Sequence, residues 1–249
     1  MRTFVRYGAA SLALLLLWWA ASLALGDMLL PAPLDVAAGL VDAALSGELS
    51  RHAGVSTLRL IEGLGAAVLF GYPIGLWLGH SERADWLGAP LAFITYPLPK
   101  IVLLPVFFTL VGLGDASRVL LIALTAGYQI LVIVRAEARA LDPAYKLALR
   151  SMGAGRADLL RHVVLPASLP SLFTALRVAS GTAVAVLFLA ESFATDAGLG
   201  WLIMDAWGMG DILRMFVGIL AISLLGVALY AAIGIAERRV CAWHHSNAS

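Results

Sequence analysis

A chain of 249 residues that is 61% hydrophobic and only 13% charged, with a mean hydropathy of +0.91, cannot coat itself in water; a soluble globule carries roughly 25% charged residues for that purpose. The net charge of +1 excludes bulk electrostatic attraction to nucleic acid. A single cysteine, Cys241, excludes an intrachain disulfide. The composition is that of an all-α polytopic membrane protein, in which each span needs about 20 apolar residues.

At the N-terminus, Arg2 and Arg6 precede an apolar run from Gly8 to Leu25. Secretory signals share this pattern, but their apolar core is roughly 7–15 residues long. The longer run predicts an uncleaved first span over 8–26, with cleavage as the minority alternative. Residues 34–50 place apolar side chains at helical spacing between Asp35, Asp42 and Glu48, which predicts an amphipathic helix at the membrane surface. Further spans are predicted over 55–79, 86–112, 117–134, 171–192 and 212–236, giving about six in one domain over 1–249.

Several positions in these spans carry specific expectations. Arg59 and Glu62 stand at i, i+3 and predict a local ion pair. Gly71 and Gly75 have the small-residue spacing of helix packing. The third span holds Pro90, Pro97, Pro99 and Pro105 and must be kinked or broken. Lys100 follows that break. Two readings stand for it: a cation lining a pathway for an anion, with Pro99 and Pro105 shaping that pathway, or a side chain snorkelling to the interface. Arg177 is expected to snorkel, and Glu191 to serve structure, with a gating role near the outer face as its alternative. Cys241, His244 and His245 fall in a polar tail that lacks a fourth ligand, so a disordered tail is expected and no metal site.

Connections set the orientation. With the N-terminus inside, eleven Lys and Arg lie in cytoplasmic segments and three (Arg51, Arg118, Arg214) outside. Both termini are therefore expected in the cytoplasm. The long cytoplasmic segment 135–170 is the one with internal pattern. Asp142 and Pro143 open a helix, Gly153-Ala154-Gly155 breaks it, and a second short helix over roughly 156–164 is expected to end at Pro166 and Pro170. The arrangement suits docking to a soluble partner; the alternative is an ordinary positive-inside loop.

The segment resembles the signature loop of binding-protein-dependent ABC importer permeases. Ala148, Gly153, Val163 and Leu165-Pro166 stand at that loop's spacing, while Leu147 and Leu149 replace its glutamate and second alanine. Ser56-Thr57-Leu58-Arg59, Pro99 to Pro105 with Gly112 and Gly114, Ala190-Glu191 with Gly198 to Gly200, and Glu237-Arg238-Arg239 are similar to the nitrate/sulfonate/taurine branch. The resemblance implies a MetI-like permease fold in a bacterial inner membrane and a second permease copy, as a homodimer. It also implies cytoplasmic ATPase subunits and an extracytoplasmic solute-binding protein. Gly153 would permit a tight turn, Ala148 and Ala154 a close docking surface, and Leu165-Pro166 would pass motion into the fifth span. The solute would be a small anion such as nitrate or a sulfonate.

No enzyme is expected on this chain. A phosphate-binding loop needs G-K-[ST], yet Lys100 follows proline and Lys146 follows tyrosine, and these are the two lysines. ATP and Mg would sit on the partner. No nucleophile constellation stands out either. The competing reading is a self-sufficient secondary carrier or channel, which the absence of an obvious inverted repeat disfavours.

Overall fold

The computed structural model describes residues 2–142, 144, 147 and 151–245, and its regular elements are all helical. They are α1 (Arg2–Leu25), α2 (Pro33–Leu45), α3 (Glu48–His80), α4 (Glu82–Thr95), a 3₁₀ turn (Lys100–Leu103), α5 (Leu104–Val111), α6 (Asp115–Ala140), α7 (Arg156–Leu159), a π turn (Leu160–Val164), α8 (Leu165–Glu191), α9 (Leu199–Met209), α10 (Ile212–Val240) and α11 (Ala242–His245). The amphipathic helix is shorter than 34–50. It starts at Pro33, a first-turn proline, and Glu48 already opens α3.

The chain divides into two compact units, Met1–Thr57 with Glu191–Leu225, and Leu58–Ala190 with Gly226–Ser249. In the first, Trp18 Nε1 donates to the Pro31 carbonyl at 3.1 Å, fixing the turn between α1 and α2. Arg214 bridges Glu48 (2.7 Å) and Asp205 (2.9 Å). Leu14, Leu17 and Leu23 of α1 stand exposed. A bilayer solvates such a face without cost.

The second unit is organised by a ladder of small residues. Gly63, Ala67, Gly71, Gly75 and Gly79 recur every four residues and so share one face of α3. That face lies directly on α6. A Cβ at Gly71 would sit 2.5 Å from the Gly127 carbonyl oxygen, and one at Gly75 would sit 2.8 Å from that of Leu131. Only glycine permits backbones this close, and the packing role expected of Gly71 and Gly75 extends over four turns. These contacts and the Arg59–Asp115 ion pair share one sequence offset of 56. A constant offset means that α3 and α6 run parallel.

That geometry decides what the broken third span does. Asp115, the first residue of α6, is level with Arg59, while His80 ends α3 some 21 residues further along, about 32 Å away. The chain from 81 to 114 must climb back through that height, which matches the roughly 30 Å of a bilayer core. The bent pair Glu82–Thr95 and Lys100–Val111, at 88° to one another, is therefore one crossing. The spans then number six among the described residues.

α8 packs antiparallel to α6, with Gln129 Nε2 donating to Thr182 (3.1 Å) and Arg118 Nε to the Ala190 carbonyl (3.1 Å). Three expectations are corrected here. Arg59 pairs with Asp115, not Glu62, because the start of α6 lies beside it. Arg177 does not snorkel alone but pairs with Glu237 of α10 at 3.0 Å. Cys241 is fully buried against Phe173 and Ile233, and Ala242–His245 form a helical turn rather than a disordered tail.

Candidate functional site

Three local arrangements carry the residues that the sequence marks. The first is the segment that leads into α8. Asp142 Oδ1 accepts from the Ala144 N–H at 2.8 Å, as a helix-opening side chain does. Ala148 lies outside the described residues. Gly153 has φ +80, a left-handed conformation that costs residues with a Cβ roughly 1–2 kcal/mol. Ala154 follows in the turn. Gly155 N–H donates to Asp158 Oδ2 at 3.0 Å and its carbonyl accepts from Leu159, so the new helix is capped at its first turn.

From there the helix does not stop. The expected end at Pro166 and Pro170 is replaced by continuous helix from Ala157 to Glu191. The reason is the π turn. Leu165 N–H donates to the Leu160 carbonyl, five residues back, and this widened turn makes room for the Pro166 ring. Hydroxyls then bond carbonyls along the proline stretch: Ser168 to Leu165 (3.0 Å), Ser171 to Ser168 (2.7 Å) and Thr174 to Pro170 (3.0 Å). Tyr72 of α3 bonds Ser168 at 2.7 Å and anchors the base of α8. Val163, Leu165 and Pro166 are half-buried here, while Leu147 and Met152 stand 65% and 80% exposed.

A cavity of about 580 Å³ opens beside this base, lined by Glu137 of α6, Leu141 just past its end, His162, Val163 and Pro166, and Trp243 of α11. Val163 and Pro166 thus meet in one place. Gly153 and Ala154 belong to the turn and do not line it. Glu137, His162 and Trp243 were not singled out as site residues. Ile133, Glu137 and Leu141 share a helix face at i, i+4, i+8, a signal that was available in the sequence; Trp243 had none.

The second arrangement is the break. Pro99 is extended (φ −71, ψ 97), and Pro105 sits in the first turn of α5, where its missing N–H costs nothing. Lys100 Nζ donates to the carbonyls of Tyr96 (2.8 Å) and Thr95 (3.3 Å), the last turn of α4. It also lies 4.2 Å from the Tyr128 ring centroid and 5.4 Å from that of Tyr96. Lys100 therefore caps α4 with a positive charge where the helix dipole favours one. Tyr128, bonded to Thr95 at 2.5 Å and to the Ala92 carbonyl, holds the aromatic wall.

The third lies in the first unit. Glu191, fully buried, accepts from Ser56 Oγ (2.8 and 2.9 Å to its two oxygens) and from Gly200 N–H (2.9 Å). Ser56 Oγ in turn accepts from Leu199 N–H (2.8 Å). A Cβ at Gly198 would sit 2.3 Å from the Glu191 carboxyl carbon, so only glycine fits. The acid is a staple for the start of α9. No group of metal-binding side chains occurs among the described residues.

Six spans, a broken third span and an uninterrupted helix leading from an arginine-rich loop into the fifth span fit a transporter's membrane subunit. The family model for the binding-protein-dependent transport system inner membrane component matches residues 71–241, and the chain belongs to that family. The chain is 31% identical over 241 residues to the taurine transport system permease protein TauC of Escherichia coli (strain K12), covering 93% of this chain and 86% of that one. It is 27% identical over 217 residues to the putative aliphatic sulfonates transport permease protein SsuC of Bacillus subtilis (strain 168), covering 87% and 79%. In fold it is similar to a chain of the MetNI methionine ABC transporter in an inward-facing conformation, with TM-score 0.64, 20% identity, and coverage of 77% and 95%. It is the permease subunit of an ABC importer, in the nitrate/sulfonate/taurine branch.

Proposed function

We propose that this permease carries a sulfonate-type anion inward, driven by a separate ATPase that docks on residues 142–166. The observation that carries the reading is the unbroken helix from Ala157 through Pro166 to Glu191, hinged on left-handed Gly153. A displacement at the loop passes straight into a span. Exposed Leu147 and Met152 supply an apolar docking face next to the hinge. ATP and Mg belong to that partner, a solute-binding protein delivers the anion outside, and two copies of this chain form the pathway. The excess of Arg and Lys in alternate connections supports an inner-membrane placement with both termini in the cytoplasm.

The sulfonate assignment is supported by the names of TauC and SsuC. Riboflavin and formylaminopyrimidine permeases of 29% and 28% identity show that identity alone does not track substrate. Lys100, a cation held at the break in the third span, favours an anion.

The test is reconstitution in liposomes with the co-purifying ATPase and binding protein, measuring ATP-dependent taurine uptake. A cavity-free, open surround at Gly153 means that Gly153→Trp acts through backbone strain and the docking face, not through a clash inside the chain. Uptake should be lost while the six spans still insert. Full ATP-coupled uptake in that variant would overturn the docking assignment, and uptake without any ATPase would overturn the importer mechanism.

A further inference from the structure

A second cavity, of about 400 Å³, opens between α8 and α10. It is lined by Arg177 of α8 and by Tyr230, Gly234, Ile235, Glu237 and Arg238 of α10. Arg177 is bonded to Glu237, with side chains 33% and 7% exposed. Two guanidinium groups against one carboxylate leave the wall with one positive charge in excess. Gly234 keeps the middle open, because a Cβ there would meet nothing within 4 Å. Along α10 the wall changes from Tyr230 and Ile235 to Glu237 and Arg238 as the helix approaches its end at Val240.

We propose that this cavity binds the phosphate headgroup of an anionic phospholipid, clamping α8 to α10. The wall has the polarity order of a lipid: a cationic rim at the helix end, where the headgroup layer lies, and an aromatic and aliphatic floor deeper in. Guanidinium groups match phosphate oxygens bidentately, which favours Arg238 as the phosphate contact. The excess positive charge selects against a zwitterionic headgroup, whose ammonium it repels. The same excess disfavours a symmetric second copy as occupant, because a twofold axis there would set Arg238 against its own image.

The experiment uses the full chain, purified in mild detergent with the subunits that accompany it. It is titrated with phosphatidylglycerol or phosphatidylcholine and read by native mass spectrometry. Phosphatidylglycerol should be retained and phosphatidylcholine lost. Arg238→Gln, which leaves the Arg177–Glu237 pair in place, should weaken phosphatidylglycerol retention about fivefold, the effect of roughly 1 kcal/mol per basic residue. Arg239→Gln, the same charge change at a residue outside the described lining, should leave it unaltered. Unchanged melting of Arg238→Gln checks that it folds. Equal losses in both variants, equal retention of phosphatidylcholine, or competition by inorganic phosphate at the lipid's own concentration would each overturn the proposal. So would an assembly in which the cavity is covered by a second permease copy and retains no lipid.

Discussion

Two stretches of the second unit each carry two closely spaced prolines and behave in opposite ways. Around Pro97 and Pro99 the third span bends by 88°. Around Pro166 and Pro170 the helix runs on through Glu191. The difference lies in the spacing. Prolines four apart sit about 40° from one another around the helix, so the lost N–H groups fall on one stripe and the other bonds survive. Prolines two apart sit about 200° from one another, so bonds are lost on opposite sides and no intact stripe remains. The π turn accommodates the first case by widening the helix just ahead of Pro166. Lys100 seals the frayed end in the second, bonding the Thr95 carbonyl that Pro99 cannot serve.

The comparison is open to direct attack. The largest effect should come from Pro97→Ala combined with Pro99→Ala. Restoring both donors favours a straight helix, and uptake should fall to near background while the chain still inserts. Retained uptake would show that the bend is not needed. Next is Lys100→Met, which removes two charge-assisted bonds from the break and should lower stability by about 2 kcal/mol, read as a drop in melting temperature in detergent. If Lys100 also meets the solute, the KM for uptake rises as well; a stability loss with KM unchanged would confine it to capping. The smallest effect belongs to Pro170→Ala, which returns one N–H to a helix already continuous, for a gain of about 1 kcal/mol or less. Cys241 reports on this packing. Burial pushes its thiol pKa up, helped by the Glu237 carboxylate, so it holds little thiolate at pH 7. In both the parent and Pro170→Ala it should resist maleimide at pH 7 until the protein is denatured. Ready labelling of the folded variant would mean that α8 depends on its proline after all.

Much of this architecture could be read from residue order, because bilayer spans are written in local composition. The first span, the proline-broken third and the patterned 135–170 segment needed no knowledge of neighbours. The bonds that cross between helices were different. Arg59 could be paired with Glu62 by helical spacing, but its choice of Asp115 depends on the parallel register of α3 and α6. Arg177 with Glu237 likewise waits on the antiparallel packing of α8 and α10. The run of helix through Pro166 was hidden because a π turn has no residue signature comparable to that of proline. At Lys100 the charge was visible, but not the Tyr128 ring that faces it from another helix.

The ladder from Gly63 to Gly79 has a mechanical consequence. Turning α3 against α6 by one residue would bring a side chain into a gap that no Cβ can enter at Gly71 or Gly75. The pair has no slack for such a turn. It must travel as one girder, about 24 Å long from Gly63 to Gly79. A push delivered at the Gly79 end arrives undiminished beside Arg59 and Asp115, at the far side of the bilayer.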